Sequence, residues 1–191
     1  MSEQNKFIIL SAPSGAGKTT IAHHLLNAGL GLEFSVTACS RPMRMGEING
    51  IDYYFISQGE FRQRVSAGEF LEWEEVYPDH FYGTLKSEID RIQANNHTVL
   101  FDVDVVGGLN IKKIFADQAL AVFIRPPALE TLRERLESRA TDSPEKISLR
   151  LDKAKAEMAR APEFDVIIIN DNLQDAVSET EHLVREFLYG S

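Results

Sequence analysis

The chain has 191 residues, of which 43% are hydrophobic and 26% charged, with a net charge of −9. That suits one globular domain with a real core and argues against a nucleic-acid binder, which would present a basic face. The single Cys39 excludes an internal disulfide and fits a reducing compartment. No apolar run approaches the roughly 20 residues of a membrane span, and MSEQNKF lacks signal-peptide character, so a cytoplasmic protein without membrane attachment is expected.

In chain order, FIIL (7–10) is a short apolar run that reads as a buried strand, and a helix is expected over 18–28. Between them lies APSGAGKT, with the spacing of the phosphate-binding loop G-x-x-x-x-G-K-[ST] except that Ala12 takes the first glycine position. Pro13, Ser14, Gly15, Ala16 and Gly17 would curl so that successive N–H groups point inward, and the following helix adds its positive end. Lys18 can then reach the β- and γ-phosphates of a nucleotide, with Thr19 a ligand for Mg²⁺ and Thr20 continuing the loop into the helix. Ala12 is tolerable at a strand end unless that position needs a positive φ. The plain alternative is a glycine-rich turn, against which the preceding buried strand argues.

FSVTA (34–38) is expected as a further core strand whose end leads into a different kind of segment. FSVTAC, DYYFIS, FLEWEEV and HFYGT are short and aromatic-rich, and MGEING and YPDH supply turn chemistry, so a small antiparallel insertion is expected. Within it Arg41 and Arg44 are three apart and can converge on one phosphate through their forked donors, with the Tyr53 hydroxyl beside them. Glu72, ionised, offers only acceptors and suits a base with two adjacent donors, as guanine has at N1 and the 2-amino group. Thr84 and Thr37 could donate to O6 or N7. Phosphate donors at one end and a carboxylate at the other read as a pocket for GMP. Alternation puts Glu72 and Glu74 on one face and does not choose between them. Solvated arginines and tyrosines that only pack the small sheet are the bland alternatives.

A helix over 86–95 leads to TVLFDVDVV (98–106), where Asp102 and Asp104 sit two apart in an apolar run. Read as a strand, that spacing puts both on one face, and unpartnered buried carboxylates are costly. Asp102 is then the partner for hydrated Mg²⁺ near the loop and Asp104 lies further out, toward a second substrate. A helix over 107–116, the strand ALAVFI (119–124) and a helix over 127–140 follow. Arg135 and Arg139 lie one turn apart on it, free to pair with Glu134 and Glu137 instead of a ligand. Ser143-Pro144-Glu145 starts a helix over 144–160. DVIII (165–169) is the last strand and 173–189 the last helix. Strands apolar on both faces, alternating with helices, argue for an α/β domain with a parallel sheet.

Taken together, APSGAGKT, SRPMRMGEINGIDYYF, FLEW, YGT, FDVD, RLESRATDS and IIIND resemble, in order and spacing, the guanylate kinase family, from Phe7 to about Leu188. The resemblance implies an α/β phosphate-loop kinase fold with a five-stranded parallel core (1–36, 86–126, 151–191), a GMP-binding insertion (37–85) and a helical lid (127–150). It implies ATP with Mg²⁺ as phosphoryl donor, and GMP and dGMP as acceptors. Arg41, Arg44, Tyr53 and Tyr82 would hold the acceptor phosphate. Glu72, Asp104, Thr84 and Thr37, with Gly83, would surround the guanine, leaving Glu74 a solvated neighbour. Lys18, Arg135, Arg139 and Arg150 would meet the transferring group, and Asn170 would lie near the adenine. Cys39, Thr37, Pro42 and Asn172 depart from the family pattern without removing a charge the chemistry needs. A kinase for another nucleoside monophosphate and a non-enzymatic scaffold module of the same fold remain as alternatives.

Overall fold

The computed structural model describes residues 5–138 and 143–190. Five strands form a parallel sheet: β1 (Phe7–Ser11), β2 (Leu32–Phe34), β7 (Thr98–Asp102), β8 (Ala119–Arg125) and β9 (Val166–Ile169), in the order β2-β7-β1-β8-β9. Alternation within each strand splits its side chains between two cores. Ile8, Leu10, Leu100, Val122 and Ile168 pack with Ile21 and Leu25 of α1 (Lys18–Asn27) and Val177 and Val184 of α7 (Leu173–Tyr189). Phe7, Ile9, Val99, Phe101 and Phe123 pack on the other face. Their partners there are Ile89 and Ile92 of α3 (Lys86–Ala94) and Leu109 and Ile111 of α4 (Val105–Phe115). Burial on both faces is why β1 and β8 read as unbroken apolar runs, while the edge strand β9 leaves Ile167 and Ile169 exposed.

The fifth strand differs from its expected place over 34–38. Leu32 and Phe34 flank Glu33 in β2, which pairs with Thr98–Leu100, while Ala38 and Cys39 form β3 of a second sheet. The chain turns between them, where Val36 N–H donates to the Glu88 carboxylate instead of a neighbouring strand (2.9 Å).

The second sheet comprises β3 (Ala38–Cys39), β4 (Tyr54–Phe55), β5 (Phe70–Tyr77) and β6 (His80–Leu85), ordered β4-β3-β6-β5. It is mixed rather than wholly antiparallel. β3 runs parallel to β4, and only the β3–β6 and β5–β6 pairs are antiparallel. The parallel pair is possible because the 14 residues between Cys39 and Tyr54 are not a tight hairpin but a long loop that crosses back. The insertion also contains a helix that the sequence reading lacks, α2 (Gln58–Ser66), started by a Ser57 side chain that accepts from Glu60 N–H. Its Phe61 is fully buried and stacks on Phe70 and Phe81 at 4.4 and 5.5 Å between centroids, giving the insertion its own core.

α5 (Leu129–Ser138) and α6 (Pro144–Ala159) pack on one another through Leu132, Leu136, Ile147, Leu151 and Ala154. α6 begins at Pro144 behind the Ser143 cap and runs unbroken past residue 150. The pair stands beside the phosphate loop, with Leu132 and Leu136 against Gly15.

Candidate active site

In the register of the parallel sheet Leu10 lies opposite Asp102, so β1 and β7 end side by side. What leaves their carboxyl ends forms the floor of a cleft, the usual place for ligands in such sheets. The cleft encloses about 380 Å³ and runs from the phosphate loop to the face of β5 and β6, with α6 closing one side.

At one end the loop turns on Gly15 (φ 96°) and Gly17 (φ 99°), both in the left-handed region that side chains disfavour. Ala12 has no such backbone, so its replacement of glycine is free of strain. Gly17 caps α1 without a side-chain acceptor, which leaves the helix's first N–H groups to a ligand. The Lys18 ammonium rests between the Asp102 carboxylate and the Val103 carbonyl, 3.1 Å from the latter. Thr19 and Asp102 both line the cleft, and their hydroxyl and carboxylate are the hard oxygen donors that Mg²⁺ takes alongside phosphate oxygens.

Asp104 does not share a strand face with Asp102, as period two predicts. β7 stops at Asp102, and Asp104 is the N-cap of α4, its Oδ1 accepting from Gly107 N–H at 2.9 Å. Aspartate prefers a cap to a strand interior because it satisfies an orphan helix donor. Both carboxylates nonetheless line the cleft.

At the far end Glu72 is buried on β5 and accepts from the Thr84 hydroxyl across the strand pair (2.8 Å), where the two residues are directly opposed. Gly107 gives it room: a Cβ there would lie 3.1 Å from Glu72 Oε2 and 3.5 Å from Asp104 Oδ1. Glu72 and Asp104 therefore flank one glycine and present acceptors to the same space. Burial, with a smaller push from Asp104, raises the Glu72 carboxyl to about 7.

Glu74 corrects the expectation of a solvated neighbour. It is half-buried, lines the cleft, and hydrogen-bonds the Asp104 side chain. Burial first, and then Asp104, pushes the Glu74 carboxyl well above the ordinary range. The solvated member of FLEWEEV is Glu75. Thr37, Tyr53, Tyr82 and Gly83 complete this end of the cleft.

Arg41 and Arg44 open with Tyr82 onto an adjoining pocket. The Arg41 guanidinium is buried and forks onto Glu47 at 2.7 and 2.5 Å, donates to Pro42 O at 2.9 Å, and lies 4.9 Å over the Tyr53 ring. Glu47 also accepts from Arg44 N–H (2.7 Å), and Arg41 pulls its carboxyl down to about 2. Arg41 is thus rigid and largely neutralised, with Arg44 exposed beside it.

Arg150 lines the cleft, whereas Arg135 turns away and donates to the Asn170 main-chain carbonyl at 2.9 Å; Arg139 lies outside the described residues. Asn170 is buried beneath the phosphate loop, its side-chain amide donating to Ala16 O (2.7 Å), so it meets the loop rather than the cleft wall. Among the charged residues at or beside the cleft, Glu47, Lys153 and Glu157 escape the sequence reading. Arg150, Lys153 and Glu157 are spaced i, i+3, i+7 on α6, a helical face that could have been read in advance.

The family model described as guanylate kinase matches residues 4–187. A guanylate kinase of Bacteroides fragilis is 52% identical over 183 residues, covering 96% of this chain and 90% of its own. One from Salinibacter ruber is 51% identical over 181 residues, covering 95% and 96%. The crystal structure of guanylate kinase from Anaplasma phagocytophilum superposes with a TM-score of 0.78 at 27% identity, covering 97% of this chain and 87% of that one.

Proposed function

The chain belongs to the guanylate kinase family, and on that premise we propose the following reading of its cleft. The protein transfers the γ-phosphoryl group of ATP to GMP, giving ADP and GDP, with dGMP as a further acceptor. The observation that carries this reading is the joining, in one cleft, of a phosphate loop bearing Lys18 to a buried carboxylate, Glu72, braced by Thr84 and flanked by Asp104.

The loop of Ala12 to Thr20 takes the ATP phosphates. Thr19 and Asp102 would hold Mg²⁺, which supplies charge neutralisation on the phosphate oxygens when bound. Lys18 exchanges its contact with Asp102 for the transferring group, and Arg150, on the wall of the same cleft, adds charge from the other side. Arg135 and Arg139 are assigned to the transferring group as lid residues; for Arg135 this means giving up Asn170 O.

On the acceptor side, Glu72 and Asp104 accept from guanine N1–H and the 2-amino group, with Thr37, Thr84 and Gly83 around the base. Adenine has no N1–H to offer, so it leaves buried acceptors unpaired, which is a strong form of rejection. Arg41, Arg44, Tyr53 and Tyr82 hold the GMP phosphate. Because Glu47 immobilises the Arg41 fork, its remaining N–H groups are fixed before the ligand arrives, and Arg44 supplies the uncompensated charge. Burial pushes the Tyr53 phenol upward, keeping it a donor. Attack by a GMP phosphate oxygen on the γ-phosphorus needs little acid–base help, and positioning and charge neutralisation carry most of the catalysis.

An assay coupled to ADP release tests the reading, run with ATP and Mg²⁺ against GMP, dGMP, AMP, CMP, UMP and dTMP. Turnover confined to the guanine nucleotides is expected. Equal turnover of AMP would overturn the base assignment, and no turnover of any acceptor would point to a binding module.

A further inference from the structure

Asn170 directly follows β9 and bonds in three directions. Its main-chain N–H donates to Arg125 O at 2.7 Å, its main-chain carbonyl accepts from Arg135 at 2.9 Å, and its side-chain amide donates to Ala16 O at 2.7 Å. The residue is 3% exposed, so these bonds form where water does not compete. A carbonyl oxygen can face only the amide nitrogen, which fixes the orientation of the carboxamide.

The close approach has a requirement. A Cβ at Gly17 would lie 2.3 Å from Asn170 Nδ2, so the amide reaches the loop only because Gly17 has no side chain. Gly17 thus has two uses, a φ of 99° and an open flank for Asn170. There is a consequence for direction. In a trans peptide the C=O and N–H of one plane point opposite ways. Holding the Ala16 carbonyl toward Asn170 therefore aims the Gly17 N–H away from it, on the side of the cleft that Gly17 lines.

We propose that Asn170 is a positioning residue of the phosphate loop: its carboxamide sets the Ala16–Gly17 peptide so that the N–H faces the ATP phosphates, and its carbonyl ties α5 to the same loop through Arg135. The inference rests on the reading of this loop as the ATP site. It assigns Asn170 a different task from adenine contact, and it joins the lid helix to the residue that shapes the loop. When Arg135 turns to a ligand, the main-chain carbonyl is released while the side-chain strut to Ala16 stays.

Two variants test it. Asn170→Asp keeps the shape but sets a carboxyl oxygen against the Ala16 carbonyl, and Asn170→Ala removes the donor without adding an opposing group. Titration calorimetry with ATP and Mg²⁺, and separately with GMP, reads the two sites independently. Loss of one buried hydrogen bond that orients a phosphate donor should weaken ATP binding at least about tenfold, with GMP binding changed by less than about twofold. Steady-state kinetics should show the KM for ATP raised and the KM for GMP unmoved, with Asp worse than Ala. Equal loss at both sites, including failure of both variants to fold, would make Asn170 a general packing residue and overturn the proposal. Folded variants with normal ATP binding would overturn it as well. Wild-type protein runs in parallel: if it neither binds ATP nor phosphorylates GMP, the reading of the site itself has failed, not the strut alone.

Discussion

Replacing Glu72 by Gln keeps the size of the side chain but removes its charge and turns one acceptor into a donor facing a guanine donor. Losing a charge-assisted bond and leaving a buried group unpaired costs about 2–4 kcal/mol, or roughly 30- to 700-fold in kcat/KM for GMP at 1.4 kcal/mol per tenfold. The structure makes that number depend on pH. Burial holds the Glu72 carboxyl at about 7, and only its ionised form accepts both guanine donors. At pH 8 about nine-tenths of the wild type is competent, and the full effect is expected; at pH 6 only about one-tenth is, so the wild type has already lost most of the advantage. The gap between wild type and Glu72→Gln should therefore narrow about tenfold from pH 8 to pH 6. Kinetics with GMP and AMP at both pH values measure it, since AMP turnover should change far less. The matched control is Glu75→Gln, because Glu75 is exposed and accepts from Asp79 N–H (2.7 Å) at the strand turn; less than about a threefold effect is expected there. A GMP-to-AMP ratio unchanged by Glu72→Gln at pH 8 would refute the assignment of the base reader.

Lys18→Met should lower kcat by on the order of 10² or more with an unchanged melting transition, since it removes a charge at the reacting centre and little packing; near-normal kcat would remove Lys18 from that role. The folded state binds the Glu72 proton more tightly than the unfolded chain does. Unfolding free energy of the ligand-free protein should therefore fall as pH rises from about 4.5 to about 7, and denaturant titrations of Glu72→Gln should show a flatter profile. Phe61→Ala should destabilise the insertion by about 3–5 kcal/mol, raising the KM for GMP more than that for ATP; a uniform effect on both would deny the insertion a core of its own. GMP together with a non-hydrolysable ATP analogue should contract the radius of gyration in X-ray scattering by more than either alone, and an unchanged curve at saturation would argue against closure.

How much of this was legible depended on whether one physical reading of a segment had a rival. FIIL and ALAVFI had none, because apolarity on both faces at that length fits a covered sheet, whereas VIII is an edge strand with Ile167 and Ile169 exposed. The loop APSGAGKT had a glycine-rich turn as its rival, and its place between β1 and α1 is what the sequence made legible. DVDVV did have a rival. Two aspartates two apart satisfy strand alternation, yet the second also satisfies a helix cap, and the Gly107 N–H bond decided for the cap. In FSVTAC the pattern of alternation hid a change of sheet, since nothing local tells Val36 that its N–H will go to Glu88, 52 positions along the chain. The helix at Gln58–Ser66 was legible and passed over: Ser57 with Glu60 is half of a capping signal. The Arg41–Glu47 fork was not, because six residues of loop carry no periodicity from which a contact follows.

The chemistry of the cleft then turns on a conflict that only the fold creates. Glu72, Glu74 and Glu157 gather with Asp102 and Asp104 in a site meant for polyanions, opposite Lys18, Arg150 and Lys153. Left ionised, that many carboxylates would repel both nucleotides. Burial raises Glu72 to about 7 and lifts Glu74 and Glu157 as well. Near neutral pH the site therefore carries less negative charge than its formula suggests. Glu74 lies against Asp104, which is thereby oriented by two partners, Glu74 and Gly107 N–H. On the proposed reading, Glu72 alone would give its proton up to accept from guanine. The same burial that would make it selective, by excluding water from the proposed bonds to N1–H and the 2-amino group, should then weaken GMP binding in acid. Glu72→Gln should escape that penalty and lose the selectivity with it.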